Sequence, residues 1–344
     1  MVKYSKSEVA AMTIDQIKLQ RLANQHLLQK TDTRRAVRDL CGVQAQFLGH
    51  ALHGLSIRSD ADTSHLLKTW TLRGTMHLID EGDLPLFLHE GRSPFLRPQD
   101  TLSSDAWVSG NRKSFFGDLI LAALASGSKT RDELKRLCRA KGMTDSEEAS
   151  LFDPWGGIIR ALCEAGSICH LVSQEKAYRL CPEFSPMDMD SAYLELGRRY
   201  FTHFGPATVK DAAYFLGWTQ KEVKRQLSRL DVEAFPLENQ IFYHIAQEQP
   251  SAECPPVLFL AGFDQLMLGY EKKESLFLPP DHLRDIFTLS GIVRPALLVE
   301  GTVSGYWNVK NNKLTVRLFH AVDHSLLTEA AQQQWPALKK IEFV

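Results

Sequence analysis

The 344-residue sequence predicts a mixed α+β fold, in which small helical modules precede a lobe of antiparallel strands. Two observations support the helical part. Thr-x-x-Glu/Gln capping sequences begin several amphipathic helices, and pairs of such helices are followed by short alternating segments typical of strands. A third observation supports the β lobe: strand-like runs separated by Gly, Asn and Pro dominate the C-terminal third.

The clearest helical module is predicted over residues 186–250. Thr208 begins a helix that ends at Gly217, and Thr219 begins a second, basic helix. The next segment, "NQIFYHIA", alternates as a strand does. Two helices joined by a tight turn and followed by a β segment are typical of a winged helix.

Two further winged-helix modules are predicted upstream. In residues 91–185, a basic helix at 130–142 and a helix at 152–166 precede the strand-like segments "SICHLV" and "KAYRLC", which flank a polar turn containing Gln174. In residues 1–90, helices at 14–22, 33–40 and 63–68 precede the strand-like "TWTLRGTMHLI".

The predicted β lobe occupies residues 251–344. Asn311 and Asn312 in "VKNNKL" form a candidate hairpin turn, because Asn tolerates positive φ. The strand-like runs of the lobe are "CPPVLFLAGFDQLMLGY", "RPALLVEG", "TVSGYWNV" and "KLTVRLF".

Composition excludes several classes of protein. Hydrophobic residues make up 44% and charged residues 24%, which is usual for a globular chain with real cores. Neither a membrane-spanning run nor an export signal is present, so a cytoplasmic protein is expected. The six cysteines contain no Cys-x-x-Cys pair, so neither zinc nor a disulfide framework is predicted. We expect a monomer without cofactor or metal.

Basic residues are clustered although the net charge is only −1. Lys and Arg outnumber Asp and Glu by ten to five in residues 92–141, by seven to two in 198–229 and by six to one in 18–38. Such clusters are either ordinary solvated faces or sites for a polyanion. The candidate phosphate contacts are Arg131, Lys135, Arg136, Lys221, Lys224 and Arg225.

The segment "GVQAQFLGH" contains two glutamines separated by one residue. In an extended chain, Gln44 and Gln46 would lie on one side, and Val43, Ala45 and Phe47 would be buried on the other. An exposed strand edge with solvated amides is the alternative. If the segment is extended and packed, the two amides are directed at one spot.

This Gln-x-Gln resembles the catalytic motif of winged-helix DNA glycosylases of the AlkZ type. Other segments resemble the same family in the same order, from about residue 13 to residue 320: "WTLRGTMHLI", "FGPATVKDAAYFLG", "GFDQLMLGY" and "RPALLVEGTVSGYW". The resemblance implies a C-shaped DNA channel and double-stranded DNA as partner. It also implies cleavage of the N-glycosidic bond of N7-alkylated purines, including bulky adducts and interstrand crosslinks, with Gln44 and Gln46 as catalytic residues.

Paired amides suit this chemistry. Glycosidic cleavage passes through an oxocarbenium-like sugar. An N7-alkylguanine is already cationic and leaves as a neutral base, so no strong general acid is needed. Amide oxygens can hold a water and stabilise positive charge without titrating. A sister group of the family carries Asp at the second position, which would be a stronger base.

Other residues have weaker signals. Arg73, Thr75 and His77 alternate and could contact phosphate, although a structured wing with a satisfied histidine explains them equally. His50 and His53 are three residues apart but lack a third ligand nearby, so no metal is expected there. Asp264 could serve as a general base, since Asp ionises well below neutral pH, but in a turn flanked by Gly it is expected to cap backbone amides. Two turns are candidates for a hairpin that probes the lesion: 301–305 and 271–274.

Two functions remain open at this point. One is a monofunctional DNA glycosylase of the base-excision type. The other is a non-catalytic winged-helix DNA-binding or regulatory protein. Both would bind DNA in a salt-dependent manner, but only the first would produce abasic sites. A small-molecule enzyme on the same scaffold has no catalytic constellation in its favour.

Overall fold

The computed structural model describes residues 12–92, 108–153, 157–173 and 175–344. The α-helices within these residues are numbered in chain order: α1 Ile14–Asn24, α2 Thr33–Asp39, α3 Leu48–Ser56, α4 Leu84–Phe87, α5 Gly110–Ala125, α6 Arg131–Ala140, α7 Asp145–Leu151, α8 Ile158–Glu164, α9 Met189–His203, α10 Val209–Leu216, α11 Gln220–Leu227, α12 Gln265–Leu268, α13 Leu283–Ile286 and α14 His324–Gln334.

The strands of the described residues are shorter than most of the helices. In chain order they are β1 Val43–Gln44, β2 Leu66–Trp70, β3 Met76–Asp80, β4 Lys129–Thr130, β5 Ile168–His170, β6 Ala177–Leu180, β7 Glu233–Leu237, β8 Gln240–His244, β9 Val257–Phe259, β10 Ala296–Val299, β11 Thr302–Lys310, β12 Lys313–Leu318 and β13 Lys340–Phe343.

The chain forms two compact units. The first contains Met1–Asp62 and Tyr193–Val344, and the second contains Thr63–Ala192. Residues 1–90, predicted as one module, therefore belong partly to each unit. The finer division at residues 90, 185 and 250 stays a prediction.

In the first unit, the elements predicted over residues 186–250 are present. Thr208 caps α10 in a capping box, and α10 ends at Gly217, whose φ of 72° is the left-handed conformation that glycine adopts without strain. Thr219 then caps α11. Strands β7 and β8 pair as an antiparallel hairpin, as the alternation of "NQIFYHIA" indicated.

The C-terminal sheet has the strand order β13-β12-β11-β10-β9. Strands β9 to β12 are antiparallel, and only β12 and β13 run parallel. Asn311 and Asn312 have φ of 52° and 57°, which confirms the predicted turn. The sheet packs on α14 around a core that includes Phe259, Leu297, Trp307, Val316 and Leu327.

The segment "GFDQLMLGY" was predicted within a strand-like run, and that part of the prediction was wrong. It contains the short helix α12 instead, because the Asp264 carboxylate accepts a hydrogen bond from the backbone N–H of Leu266 at 2.9 Å. Asp264 therefore caps backbone amides as expected.

In the second unit, strands are ordered β3-β2-β5-β6-β4. The helix predicted at 63–68 was wrong, because residues 66–68 lie in β2, which pairs with β3 so that Thr69 faces His77. Cross-strand pairing here overrides the helical tendency of "LLK". The core beside the sheet includes Phe116, Ile120, Leu134, Ile159 and Tyr178.

The helix predicted at 152–166 is shorter in the structure. It begins at Ile158, because α7 ends at Leu151 and Gly157 is the N-cap of α8. Thr144 and Glu147 form a capping box at the start of α7, a Thr-x-x-Glu signal that the sequence prediction overlooked. Gln174 and part of residues 91–185 lie outside the described residues.

All six cysteines are free thiols in the structure. Four cysteines are buried and two are partly buried, and the structure contains no disulfide among its described residues. No helix in the described ranges is both long and apolar enough to span a bilayer.

The capping box of α6 provides a stability prediction. The backbone N–H of Glu133 donates to the Thr130 hydroxyl at 3.2 Å, and the backbone N–H of Thr130 donates to the Glu133 carboxylate at 2.7 Å. Thr130→Ala should therefore lower the free energy of unfolding by about 1 kcal/mol, measured by urea denaturation. Thr130→Ser keeps the hydroxyl and should behave as wild type. An equal loss in both variants would contradict a capping role.

Candidate active site

The chain reverses sharply before the glutamine pair. Helix α2 ends in a Schellman motif, in which the Cys41 N–H donates to the Arg38 carbonyl at 3.1 Å and the Gly42 N–H donates to the Val37 carbonyl at 2.8 Å. Cys41 and Gly42 have φ of 53° and 82°. This double left-handed turn ends the helix and starts the extended segment that carries Gln44.

The two glutamine side chains meet. The Gln44 Nε2 group donates a hydrogen bond to Gln46 Oε1 at 2.5 Å. Gln44 is 6% exposed, whereas Gln46 is exposed to solvent. The buried amide thus orients the exposed one, and the pair lies at one spot as the alternation predicted.

Phe47 departs from that alternation. Val43 and Ala45 are buried as expected, but Phe47 is 50% exposed. The strand ends at Gln44 and α3 begins at Leu48, so the alternation does not continue to Phe47. Its ring stacks on that of Phe263, with centroids 5.7 Å apart. An exposed aromatic ring therefore lies directly beside Gln46 in the chain.

A small cavity, lined by both apolar and polar side chains, lies behind Gln44. Its volume of about 10 Å³ approaches the space that one water molecule requires. Gln265 lines it, is buried, and donates from Nε2 to the Gly42 carbonyl. Gln265 Oε1 is buried without a hydrogen-bond partner in the described part of the chain. The other lining side chains include His50, Arg58, Phe263 and Asp264.

A buried ion pair supports this cavity. Arg58 Nη2 and Nη1 donate to the two carboxylate oxygens of Asp264 at 2.6 and 3.0 Å. Arg58 also donates to the carbonyls of Gln25 and Gly54, at 3.1 and 2.9 Å. Both charged side chains are almost fully buried, so the pair joins α3 to the segment that begins α12. The carboxylate is engaged in this pair and in capping, which leaves it unsuited to act as a general base.

The two histidines of α3 have different surroundings. Burial lowers the pKa of both His50 and His53, because the charged ring loses its hydration. His53 Nε2 lies 2.6 Å from the Phe259 carbonyl, and its ring stacks on Trp335. His53 is thus a structural residue. His50 lines the cavity beside Gln44.

Of the three residues predicted to share a phosphate-binding face, Arg73 and Thr75 are partly exposed, whereas His77 is buried. Arg73 lies in the turn between β2 and β3 with φ of 55°. His77 is fully buried and its Nδ1 lies 2.8 Å from the Thr71 hydroxyl. Burial lowers the pKa of His77 to about 3, so the ring is neutral. His77 is out of reach of DNA, which corrects that part of the prediction, while Thr75 is partly exposed.

The predicted phosphate contacts lie on two helices, one in each unit. On α6, Arg136 is exposed, but Lys135 pairs with Glu148 at 3.1 Å and Arg131 donates to the Phe152 carbonyl. On α11, Lys221 and Lys224 are exposed, and Arg225 pairs with Glu222 at 2.8 Å. Arg136, Lys221 and Lys224 are the better candidates for a polyanion, because none of the salt bridges within the described ranges involves them.

Comparison with known proteins assigns the family. The model of a family described as "DNA glycosylase AlkZ-like" matches residues 37–339. This chain belongs to the AlkZ-like DNA glycosylase family. The matched span contains Gln44, Gln46 and the cavity behind them, so the resemblance drawn from the sequence is confirmed at the level of the family.

A curated protein sequence and a solved structure, both from Streptomyces sahachiroi, are similar to this AlkZ-like chain. The Interstrand DNA cross-link repair glycosylase of Streptomyces sahachiroi is 28% identical over 314 residues, which covers 81% of this chain and 83% of the relative. The solved structure of Streptomyces sahachiroi DNA glycosylase AlkZ superposes with a TM-score of 0.78 at 22% identity, over 97% of this chain and 100% of that chain. The second likeness shows that the folds agree.

Two parts of the candidate site were not predicted from the sequence. Gln265 follows Asp264 directly, but only the carboxylate drew attention as a possible base. Arg58 carried no motif, and its partner lies 206 residues away. The Gly-Phe-Asp-Gln segment was the one available signal, because a turn rich in polar side chains next to Gly has backbone amides and carbonyls to satisfy.

Proposed function

We propose that this protein is a monofunctional DNA glycosylase that hydrolyses the N-glycosidic bond of N7-alkylated purines, including those in interstrand crosslinks. The observation that carries the proposal is the contact between Gln44 and Gln46 at the surface, with the cavity and Gln265 behind it. Family membership and the name of the Streptomyces relative support the class of reaction and the crosslinked substrate.

The proposed reaction uses the amides as acceptors. Each amide oxygen has two lone pairs, so Gln46 Oε1 can accept from Gln44 and also from a water. A water that donates its hydrogens to the two Oε1 atoms directs its oxygen at C1′ of the sugar. The same oxygens stabilise positive charge as the sugar becomes oxocarbenium-like.

The proposed hydrolysis requires no general acid and no general base from the protein. The C1′–N9 bond breaks and its electron pair stays with the purine, which leaves as a neutral N7-alkylated base. The water oxygen bonds to C1′ and loses one proton to solvent. The products are the free base and an abasic site, and the proposed chemistry draws on no cofactor.

We also propose how DNA is held. The helix pair α10–α11 with its hairpin, and the helices of the second unit with β5 and β6, would act as winged-helix modules. The exposed Arg136, Lys221 and Lys224 would contact phosphates and position the duplex without reading its sequence. The protein would act as a cytoplasmic monomer. Of the predicted turn at 301–305, residues 302–305 lie in β11, so the turn at Glu300 and Gly301 between β10 and β11 would replace it as one candidate lesion probe, and 271–274 stays the other.

The test separates a glycosylase from a DNA-binding regulator. A duplex with one N7-methylguanine is incubated with protein and treated with alkali, which cleaves abasic sites. We expect strand breaks at the modified base and none in the unmodified duplex. A crosslinked duplex, analysed on a denaturing gel, should be converted to separate strands. Tight, salt-dependent binding with both substrates left intact would support the regulator instead.

A pH profile tests the absence of a titrating base. Amides do not ionise, so at saturating protein the single-turnover rate should be unchanged from about pH 6.5 down to about pH 5. His50 is the rival base in the cavity, and its pKa lies below its ordinary value. A base acts in its unprotonated form, so if His50 served, the rate would fall about tenfold per pH unit below its pKa. His50→Gln should itself keep the wild-type rate at neutral pH. A fall that is absent in His50→Gln, or a large loss of rate in His50→Gln at neutral pH, would contradict the proposal.

A further inference from the structure

Three potential metal ligands converge in the first unit, apart from the cavity behind Gln44. His26 follows α1, Asp39 is the last residue of α2, and His203 is the last residue of α9. His26 Nε2 lies 2.8 Å from Asp39 Oδ2, and His203 Nε2 lies 3.2 Å from Asp39 Oδ1. The ligand atoms of the three side chains all lie within 4.8 Å of one another.

We propose that His26, Asp39 and His203 bind one divalent transition-metal ion, with zinc as the best fit. Two imidazole nitrogens and one carboxylate oxygen are a donor set that zinc accepts, and a water would complete a tetrahedron. Zinc–ligand bonds near about 2.0 Å place neighbouring ligand atoms roughly 3.3 Å apart, so side-chain shifts on the order of 1 Å would close the site. All three side chains are partly accessible, so an ion can enter.

The orientation of the two histidine rings suits a shared cation. His26 Nε2 and His203 Nε2 face different oxygens of one carboxylate, Asp39 Oδ2 at 2.8 Å and Asp39 Oδ1 at 3.2 Å. Three ligand atoms from three separate segments are therefore directed at one another around a common point.

The backbone at His26 is consistent with a fixed ligand. His26 has φ of 59°, a left-handed conformation that is uncommon outside glycine. Its N–H donates to the Ala23 carbonyl at 2.9 Å and so closes the end of α1. Glycine would adopt this backbone conformation with less strain than histidine does. A requirement for the imidazole ring beside Asp39 would explain why position 26 is histidine.

Several guanidinium groups oppose a cation here: Arg38 and Arg198 line the same pocket as Asp39, and Arg35 pairs with that carboxylate directly. The Arg35 Nε atom lies 3.5 Å from Asp39 Oδ2, and the Arg35 side chain is 66% exposed. The guanidinium competes for the carboxylate and repels a positive ion. Arg35→Gln should therefore tighten metal binding without harm to the fold, whereas a purely hydrogen-bonded cluster predicts no metal response in either protein.

The proposed ion would stabilise the scaffold of the first unit. It would join the ends of α1, α2 and α9, and α2 leads within five residues to Gln44. A ligand that binds only the folded state raises the free energy of unfolding. The ion would therefore stabilise the fold, and it would take no part in base excision.

The experiment titrates chelator-treated protein with Zn²⁺ alone, by calorimetry, with the melting temperature measured in parallel. Wild type should bind one Zn²⁺ and melt at a higher temperature with the ion. His26→Gln and His203→Asn should each weaken binding by more than about tenfold and lose the shift in melting temperature. Arg35→Gln should bind more tightly than wild type.

His282→Gln is the matched control, because His282 and Asp285 form a comparable pair at 3.0 Å without a second histidine. This variant should bind Zn²⁺ as wild type does. Circular dichroism of each variant without metal confirms that it is folded. The proposal is overturned if wild type binds no stoichiometric Zn²⁺, or if folded His26→Gln and His203→Asn bind it as tightly as wild type, which would place the ion at another site.

Discussion

Replacing Gln44 with alanine is expected to lower the single-turnover rate of base release by about a hundredfold or more. The variant loses one water acceptor and also the group that orients Gln46 through the 2.5 Å hydrogen bond. Because Gln44 is buried and Gln46 carries the solvent-exposed amide, affinity for DNA should change little. Rates are measured with protein in excess over a duplex carrying one N7-methylguanine.

The controls for this prediction use other glutamines. Gln46→Ala should lose a similar factor, and the double variant should be little worse than either single one, since the two amides act as a unit. Gln333 is an exposed amide on α14, so Gln333→Ala should retain the full rate. A wild-type rate in Gln44→Ala would rule out the paired-amide mechanism.

Replacing Asp264 with asparagine is expected to give the largest loss of stability, about 3–5 kcal/mol in the free energy of unfolding. Arg58 would keep its charge while buried and lose two hydrogen bonds to a carboxylate. Asp264 also accepts from the backbone N–H groups of Ala261 and Leu266, so the start of α12 would loosen. Urea denaturation of wild type and variant measures the difference.

An exposed ion pair provides the comparison. Glu222 and Arg225 lie 2.8 Å apart on α11, a distance like that in the buried pair, but both are partly in solvent. Glu222→Gln should therefore cost less than about 1 kcal/mol. Equal losses in Asp264→Asn and Glu222→Gln would show that burial of Arg58 does not set the stability of this region.

Local signals in the sequence predicted much of the fold. Several features depend only on neighbours within a few residues, so the local sequence is enough to predict them. They are the capping boxes at Thr130 and Thr208, the end of α10 at Gly217 and the turn at Asn311. The meeting of Gln44 with Gln46 is equally local, because side chains two residues apart in an extended segment share a side.

Features that depend on distant partners were not predictable in this way. Residues 66–68 join a strand because β3 is there to pair with them. The burial of His77 and the partnership of Arg58 with Asp264 likewise arise from segments that one sequence does not link. The convergence of His26, Asp39 and His203 spans 177 residues and left no motif that spacing could reveal.

The central claim is that paired amides hold the water that hydrolyses the glycosidic bond. Mass spectrometry of a reaction run in ¹⁸O-labelled water, on a duplex with one N7-methylguanine, tests it most directly. With wild type, we expect free N7-methylguanine and an abasic sugar that carries one ¹⁸O atom at C1′. The sugar is reduced before analysis, so that the label does not exchange with solvent. The Gln44→Ala/Gln46→Ala variant should give neither product. Base release that is undiminished in the double variant, or no release by wild type, would contradict it.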